Sequence, residues 1–173
     1  IINKHNGHIH IDSKIAKGTT VTILLPVLET APRAIRPEKK EPKKETLGKI
    51  LLMDDEELIR DVGSEILEMI GFSVEAVVNG EQAVESYKEA KENGNPFKAV
   101  IMDLTIPGGM GGKETVEVLK KLDPDAKAIV SSGYSNDPIM ADFKDYGFAG
   151  VVAKPYRVEE MKAVLQDVIG PFD

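Results

Sequence analysis

The chain has 173 residues, of which 42% are hydrophobic and 29% charged, with a formal net charge of −7 and no cysteine. This composition is typical of a globular protein, and the absence of thiols excludes disulfides and cysteine metal sites, as is usual for a cytoplasmic protein. Residues 50–173 carry 12 Lys/Arg against 24 Asp/Glu, and no apolar run approaches the roughly 20 residues that span a bilayer, so we expect no nucleic-acid partner and no membrane contact by this fragment.

Residues 1–28 contain the pattern of a β-hairpin. His8–Asp12 alternates polar and apolar residues, and Val21–Leu25 is β-branched and apolar, with turn-forming residues between the two. An isolated hairpin is only marginally stable in water. Because the chain begins with Ile1 and not with Met, we expect this segment to be the end of a larger domain.

Residues 29–48 have the composition of a linker. Lys, Arg and Glu alternate here with Pro32, Pro37 and Pro42, and large apolar side chains are nearly absent. Such a segment buries too little apolar surface to offset the entropy lost on ordering. We therefore predict a solvated tether between the hairpin and the rest of the chain.

Residues 49–173 alternate short apolar runs with amphipathic stretches. The predicted strands are Ile50–Met53, Val74–Val78, Ala99–Met102, Ala128–Val130 and Gly150–Ala153. The predicted helices are Glu57–Ile70, Glu81–Glu92, a helix through Val116, Leu119 and Leu122, then Ile139–Tyr146 and Glu159–Ile169. The first of them carries apolar residues at helical spacing: Leu58, Val62, Ile66, Leu67 and Ile70. This alternation predicts an α/β fold: a doubly wound five-stranded parallel sheet of order 2-1-3-4-5.

Charged and polar side chains follow four of the predicted strands. Asp54 and Asp55 follow the first strand, Asp103 the third, Ser131 the fourth and Lys154 the fifth. These strand ends meet at one edge of the sheet, where such folds bind ligands. Clustered carboxylates repel one another, and a hard cation such as Mg²⁺ relieves the repulsion. A carboxylate nucleophile beside a metal and a lysine indicates a phosphoryl-transfer site.

Four motifs in this segment resemble those of the receiver domains of two-component response regulators. They are Asp54-Asp55, Asp103 with Pro107-Gly108 after it, Ser131-Ser132-Gly133, and Lys154-Pro155. The resemblance covers residues 49–173 and implies a flavodoxin-like receiver fold. It further implies a phosphorelay role, in which a histidine kinase or a histidine phosphotransfer domain donates the phosphoryl group, and it allows weak dimerisation.

The resemblance implies a role for each matching residue. Asp103 is the phosphoacceptor. Mg²⁺ or Mn²⁺ is bound by Asp55 and Asp103 directly, by Asp54 through water, and by the carbonyl of Thr105. Lys154, in a cis bond to Pro155, pairs with Asp103 and then with the phosphoryl oxygens, while the Ser131 hydroxyl turns onto the phosphoryl group. For Ser132 the resemblance implies no role, and we expect it to cap the next helix. Val151 stands where many receivers carry Tyr or Phe, so we expect no aromatic gate there.

The N-terminal segment carries a second resemblance. Asn6–Ile9 and Lys17–Pro26 are similar to the last two strands of a histidine-kinase ATP-binding domain. Together with the linker and the receiver motifs, this implies a hybrid sensor histidine kinase as the parent protein. The nucleotide-binding and phosphohistidine motifs of such kinases are not in the sequence, so we expect no ATP-dependent kinase activity from this fragment. The receiver itself would catalyse its own phosphorylation and dephosphorylation.

Two other functions use similar folds. A phosphatase of the haloacid dehalogenase type needs a second Asp two residues after its nucleophile, and Thr105 occupies that position. A flavodoxin-like cofactor-binding module needs a phosphate-binding loop after the first strand, where Asp54, Asp55 and Glu56 would repel phosphate. We keep both as alternatives to the receiver.

Overall fold

The computed structural model describes residues 7–15, 17–26, 46–133 and 138–172. The chain divides into two compact units, Ile1–Pro42 and Lys43–Asp173. In the first unit, β1 (His8–Lys14) and β2 (Gly18–Leu24) form an antiparallel hairpin, which confirms the predicted one. Every described residue of these two strands is exposed. The predicted linker lies outside the described residues up to position 45.

The second unit is a five-stranded parallel sheet with helices on both faces. Its strands are β3 (Lys49–Met53), β4 (Ser73–Val77), β5 (Phe97–Asp103), β6 (Ala128–Ser132) and β7 (Gly150–Ala153). Its helices are α1 (Glu57–Ile70), α2 (Gly80–Glu92), α3 (Gly112–Leu122), α4 (Pro138–Ala141) and α5 (Val158–Ile169). The strand order β4-β3-β5-β6-β7 confirms the predicted topology. No helix within the described ranges is long and apolar enough to cross a membrane.

Local sequence signals fix the helix ends. The side chain of Asn79 accepts a hydrogen bond from the Gln82 amide at the start of α2, as an N-cap does. Gly71 ends α1 in the left-handed region with φ 116°, which favours glycine. The predicted single helix over 139–146 is wrong, because α4 ends at Ala141 and a 3₁₀ turn, Phe143–Tyr146, follows it.

The core lies on both faces of the sheet. One face packs under α2 and α3, and the other, which includes Ile50, Leu52 and Ile101, packs under α1 and α5. Of the apolar residues at helical spacing in α1, Ile66 and Leu67 are buried, but Leu58 and Val62 are 71% and 39% exposed. The buried face of α1 is instead formed by Gly63, Ile66 and Leu67.

Candidate functional site

Three carboxylates meet at the carboxyl edge of the sheet. Asp54 and Asp55 directly follow β3, and Asp103 is the last residue of β5. Each offers one carboxylate oxygen, and these oxygens all lie within 4.8 Å of one another. Asp54 is fully buried, Asp103 nearly so, and Asp55 is exposed. Because oxygen-rich clusters of this kind suit hard divalent cations, the residues fit Mg²⁺ or Mn²⁺.

Lys154 places its ammonium between two of these carboxylates. The Nζ atom lies 2.6 Å from Asp54 Oδ2 and 2.9 Å from Asp103 Oδ2, and the lysine side chain is only 10% exposed. The residue follows β7, its amide donates to the Ser132 carbonyl over 3.0 Å, and its peptide bond to Pro155 is cis, as expected. The structure therefore brings together the acidic and basic residues that the sequence predicted at this edge.

Burial and charge set the protonation of this cluster. Burial raises the pKa of Asp103 above its ordinary value, the nearby Asp54 carboxylate raises it further, and the Lys154 ammonium opposes both effects. Burial disfavours the Lys154 ammonium, but its hydrogen bonds to Asp54 and Asp103 outweigh this and raise the pKa of Lys154. At neutral pH, Lys154 is therefore a cation beside an unusually basic carboxylate.

The acidic loop, residues 54–56, is held from two sides. The Glu56 amide donates to Asp54 Oδ1 over 3.1 Å. Nη1 of Arg60, one turn into α1, donates to the carbonyls of Asp54 and Asp55 over 2.7 and 2.8 Å. These bonds orient the backbone so that the carboxylates of Asp54 and Asp55 point into the same site.

Glycines allow the loop after Asp103 to fold closely against the strand end. The Gly112 amide donates to the Leu104 carbonyl over 3.2 Å. A Cβ atom on Gly112 would lie 2.8 Å from the Asp103 carbonyl oxygen, which is too close for any other residue. The start of α3 thus fixes the backbone of Asp103.

An open pocket of about 270 Å³ surrounds the acidic cluster. Its described lining residues are Asp55, Glu56, Asp103, Thr105, Pro107, Ser132, Gly133 and Lys154. Thr105, whose carbonyl was predicted as a metal ligand, lines this pocket, and its amide donates to the Asp103 carboxylate. The pocket therefore combines a carboxylate of raised pKa, oxygen atoms that could hold a metal ion, and one buried cation.

The two serines at the end of β6 lie in different surroundings. Ser131 is fully buried and its Oγ lies 2.9 Å from the phenol oxygen of Tyr156. Among the described residues, Ser132 lines the pocket and Ser131 does not. Neighbouring residues of a strand point to opposite faces, so the two hydroxyls could not both face the pocket. The family resemblance assigned the phosphoryl contact to Ser131, but Ser131 faces the core and Ser132 lines the pocket. The sequence analysis assigned no role to Tyr156.

Comparison with known proteins gives the class to which this fold and site belong. Residues 50–166 match the response regulator receiver domain family. The chemotaxis protein CheY of Thermotoga maritima is 31% identical over 124 residues, which are 70% of this chain and 98% of that protein. The chain therefore belongs to the response regulator receiver domain family, as a receiver domain of a two-component system. This favours the receiver over the phosphatase and the cofactor-binding module.

Other similar proteins include histidine kinases. The sensor kinase CckA of Brucella abortus is 29% identical over 181 residues, covering all of this chain, which spans 19% of that protein's length. The receiver domain of the sensor histidine kinase PA1611 from Pseudomonas aeruginosa PAO1, solved with a magnesium ion in its active-site cleft, has the same fold. It has a TM-score of 0.63 and 23% identity, and the match covers 72% of this chain and 98% of that one.

Proposed function

We propose that Asp103 accepts a phosphoryl group from the phosphohistidine of a histidine kinase or a histidine phosphotransfer domain. A carboxylate oxygen of Asp103 attacks phosphorus and the phosphorus–nitrogen bond of the phosphohistidine breaks. The histidine ring, already protonated on its other nitrogen, takes the bonding electrons and leaves as neutral imidazole. The observation that carries this proposal is the placement of a basic, buried carboxylate in a pocket, 2.9 Å from the Lys154 ammonium.

The surrounding residues supply charge rather than acid–base chemistry. Asp54, Asp55, Asp103 and the Thr105 carbonyl would hold Mg²⁺, or Mn²⁺, which when bound neutralises charge on the phosphoryl oxygens. The magnesium described for the PA1611 receiver supports this assignment. Lys154 adds a cation that stays protonated throughout. Its ammonium can pair first with Asp103 and then with the new phosphoryl oxygens.

We propose Ser132, in place of Ser131, as the hydroxyl that contacts the phosphoryl group. Ser132 lines the pocket together with Asp103 and Lys154. The Ser131 hydroxyl is fully buried and already bonded to Tyr156. Contact between Ser132 and the phosphoryl group would shift the end of β6 and so change the surface that partners bind.

We propose that the parent protein is a hybrid histidine kinase in the cytoplasm. The support is the predicted kinase-like hairpin, which folds as β1 and β2, and the match of CckA along the whole chain. In such a parent the receiver would take its phosphoryl group from a kinase domain of the same protein or pass it on to a phosphotransfer partner.

The test of the acceptor is the substitution Asp103→Asn, with acetyl phosphate and Mg²⁺ as phosphodonor and cofactor. We expect intact-mass measurement to show one added phosphoryl group on the wild type and none on the variant, because an amide cannot form the acyl phosphate. Asp145→Asn, on the exposed 3₁₀ turn, is the matched control and should be labelled like the wild type. Full labelling of Asp103→Asn would show that the acceptor lies elsewhere.

A further inference from the structure

Ser131 and Tyr156 form a hydrogen-bonded pair of hydroxyls below the site. Their oxygens lie 2.9 Å apart, Ser131 has no exposed surface and Tyr156 is 8% exposed. Burial raises the pKa of Tyr156 to about 12, so its hydroxyl is neutral and can donate or accept. A buried hydroxyl without a partner is costly, so each of these groups holds the other in place.

The pair joins β6, the strand beside Asp103, to the segment that carries Lys154. Ser131 lies opposite Asp103 in the register of β5 and β6, and its carbonyl accepts from the Leu104 amide over 2.9 Å. Tyr156 lies two residues beyond Lys154, on the segment between β7 and α5. The bond between Ser131 and Tyr156 therefore connects the acceptor's side of the site to the segment that presents the lysine.

Packing holds the Tyr156 ring independently of its hydroxyl. The ring belongs to the core under α1 and α5. A Cβ added to Gly63 of α1 would lie 3.0 Å from Tyr156 Cε2 and 2.8 Å from Leu52 Cδ2, which shows how closely the helix approaches the ring. Removing only the phenol oxygen should thus leave the ring in place and remove the side-chain bond to β6, so that the bond from the Lys154 amide to the Ser132 carbonyl remains.

We propose that Tyr156 is a positioning residue for phosphoryl transfer, whose hydrogen bond with Ser131 fixes the segment that carries Lys154. This rests on the proposed acceptor function. The Lys154 ammonium contacts Asp54 and Asp103 at 2.6 and 2.9 Å, so a small displacement of its backbone would lengthen both contacts. Charge stabilisation depends on such placement, and a misplaced group loses much of its effect on rate.

The test compares Tyr156→Phe and Ser131→Ala with the wild type. The rate of labelling by acetyl phosphate at saturating Mg²⁺ is followed by intact mass. We expect each variant to be labelled about fivefold more slowly, the effect of one hydrogen bond lost from the transition state. Mg²⁺ affinity, measured by calorimetry, should not fall below that of the wild type, since Tyr156 supplies no metal ligand. Tyr87→Phe is the matched control, because Tyr87 is also buried and hydrogen-bonded but stacks on Phe97, at the opposite end of β5 from Asp103.

Repeating the Tyr156→Phe substitution in a protein that lacks the Lys154 ammonium separates a positioning role from a general structural role. In a Lys154→Ala protein, whose labelling is followed for long enough to measure a reduced rate, adding Tyr156→Phe should cause no further loss of rate, because the lysine through which it acts is gone. An equal fivefold loss in both backgrounds would overturn the proposal, as would a wild-type rate for Tyr156→Phe. If the wild type itself takes no label, the acceptor function fails instead, and the two failures are thus distinguished.

Discussion

Replacing Lys154 by Met tests how strongly the lysine stabilises the buried carboxylates. Met keeps much of the length and apolar packing of the lysine stem but removes the charge. At the observed distances of 2.6 and 2.9 Å, each ion pair contributes roughly 6 kcal/mol of attraction at an effective dielectric constant of about 20. Burying the ammonium costs several kcal/mol in return, so we expect the variant to lose about 3 kcal/mol of unfolding free energy.

Urea unfolding in EDTA at pH 7 measures this loss. Lys162→Met, an exposed lysine on α5, is the matched control and should change stability by less than about 0.5 kcal/mol. Adding Mg²⁺ should stabilise Lys154→Met more than the wild type, because the metal then meets the carboxylates without a competing cation. An unfolding free energy within about 1 kcal/mol of the wild type in EDTA would refute this reasoning.

The same variant has a defined pH dependence. The pKa of Asp103 is already raised in the folded protein, and removing Lys154 takes away the charge that opposed this. The folded state then binds this proton at a higher pH than the unfolded chain does, so its stability increases as the pH falls from 7 toward the ordinary carboxyl pKa. The difference in stability between Lys154→Met and the wild type should therefore narrow over that range.

Two further substitutions test contacts around the sheet. Arg60→Met removes the donor to two carbonyls of the acidic loop, one of them partly buried. It should lower the unfolding free energy by about 1 kcal/mol in urea titrations. An unchanged urea midpoint would mean that water replaces the guanidinium fully. Tyr87→Phe removes the donor to Asp123 and should cost about 1.5 kcal/mol at pH 7. The hydrogen bonds from Lys91 and Tyr87 lower the pKa of Asp123. The loss of unfolding free energy in Tyr87→Phe should therefore persist to acidic pH and disappear only as that carboxylate is protonated. The same loss at every pH would contradict the hydrogen bond between Tyr87 and the Asp123 carboxylate.

The sequence predicted the sheet order and most element bounds because the apolar runs are continuous. Ile50–Met53 and Ala99–Met102 are buried on both faces, and only a central strand accommodates such runs. The buried faces of the helices were predicted less well than the strands. Leu58 and Val62 have helical spacing with Ile66, yet the helix turns its Gly63 side to the sheet, because only glycine allows the approach of Leu52 and Tyr156. Periodicity alone does not show that a glycine is the contact point.

The sequence predicted which charged residues meet in the site, but not which serine hydroxyl lies in it. Three carboxylates and a lysine at adjoining strand ends have few arrangements that satisfy their charges, so their meeting was predictable. Ser131 and Ser132 are chemically alike and differ only in the face of the strand on which they lie. Deciding between them required the position of Tyr156, whose phenol takes the buried serine as its partner.

The resting site is arranged so that Asp103, the proposed phosphoacceptor, is costly to keep ionised. Asp103 lies in a nearly buried position beside Asp54, and both effects raise its pKa, while one lysine offsets them. Phosphorylation of such a carboxylate is therefore favoured. It moves the negative charge onto phosphoryl oxygens, which can contact the pocket, the lysine and a metal at the same time. Lys154 is then available to the phosphoryl oxygens only if its backbone is already in place, which is the contribution that we assign to Tyr156 and Ser131. The stability of the resting pair and the rate of phosphoryl transfer thus depend on the same lysine position.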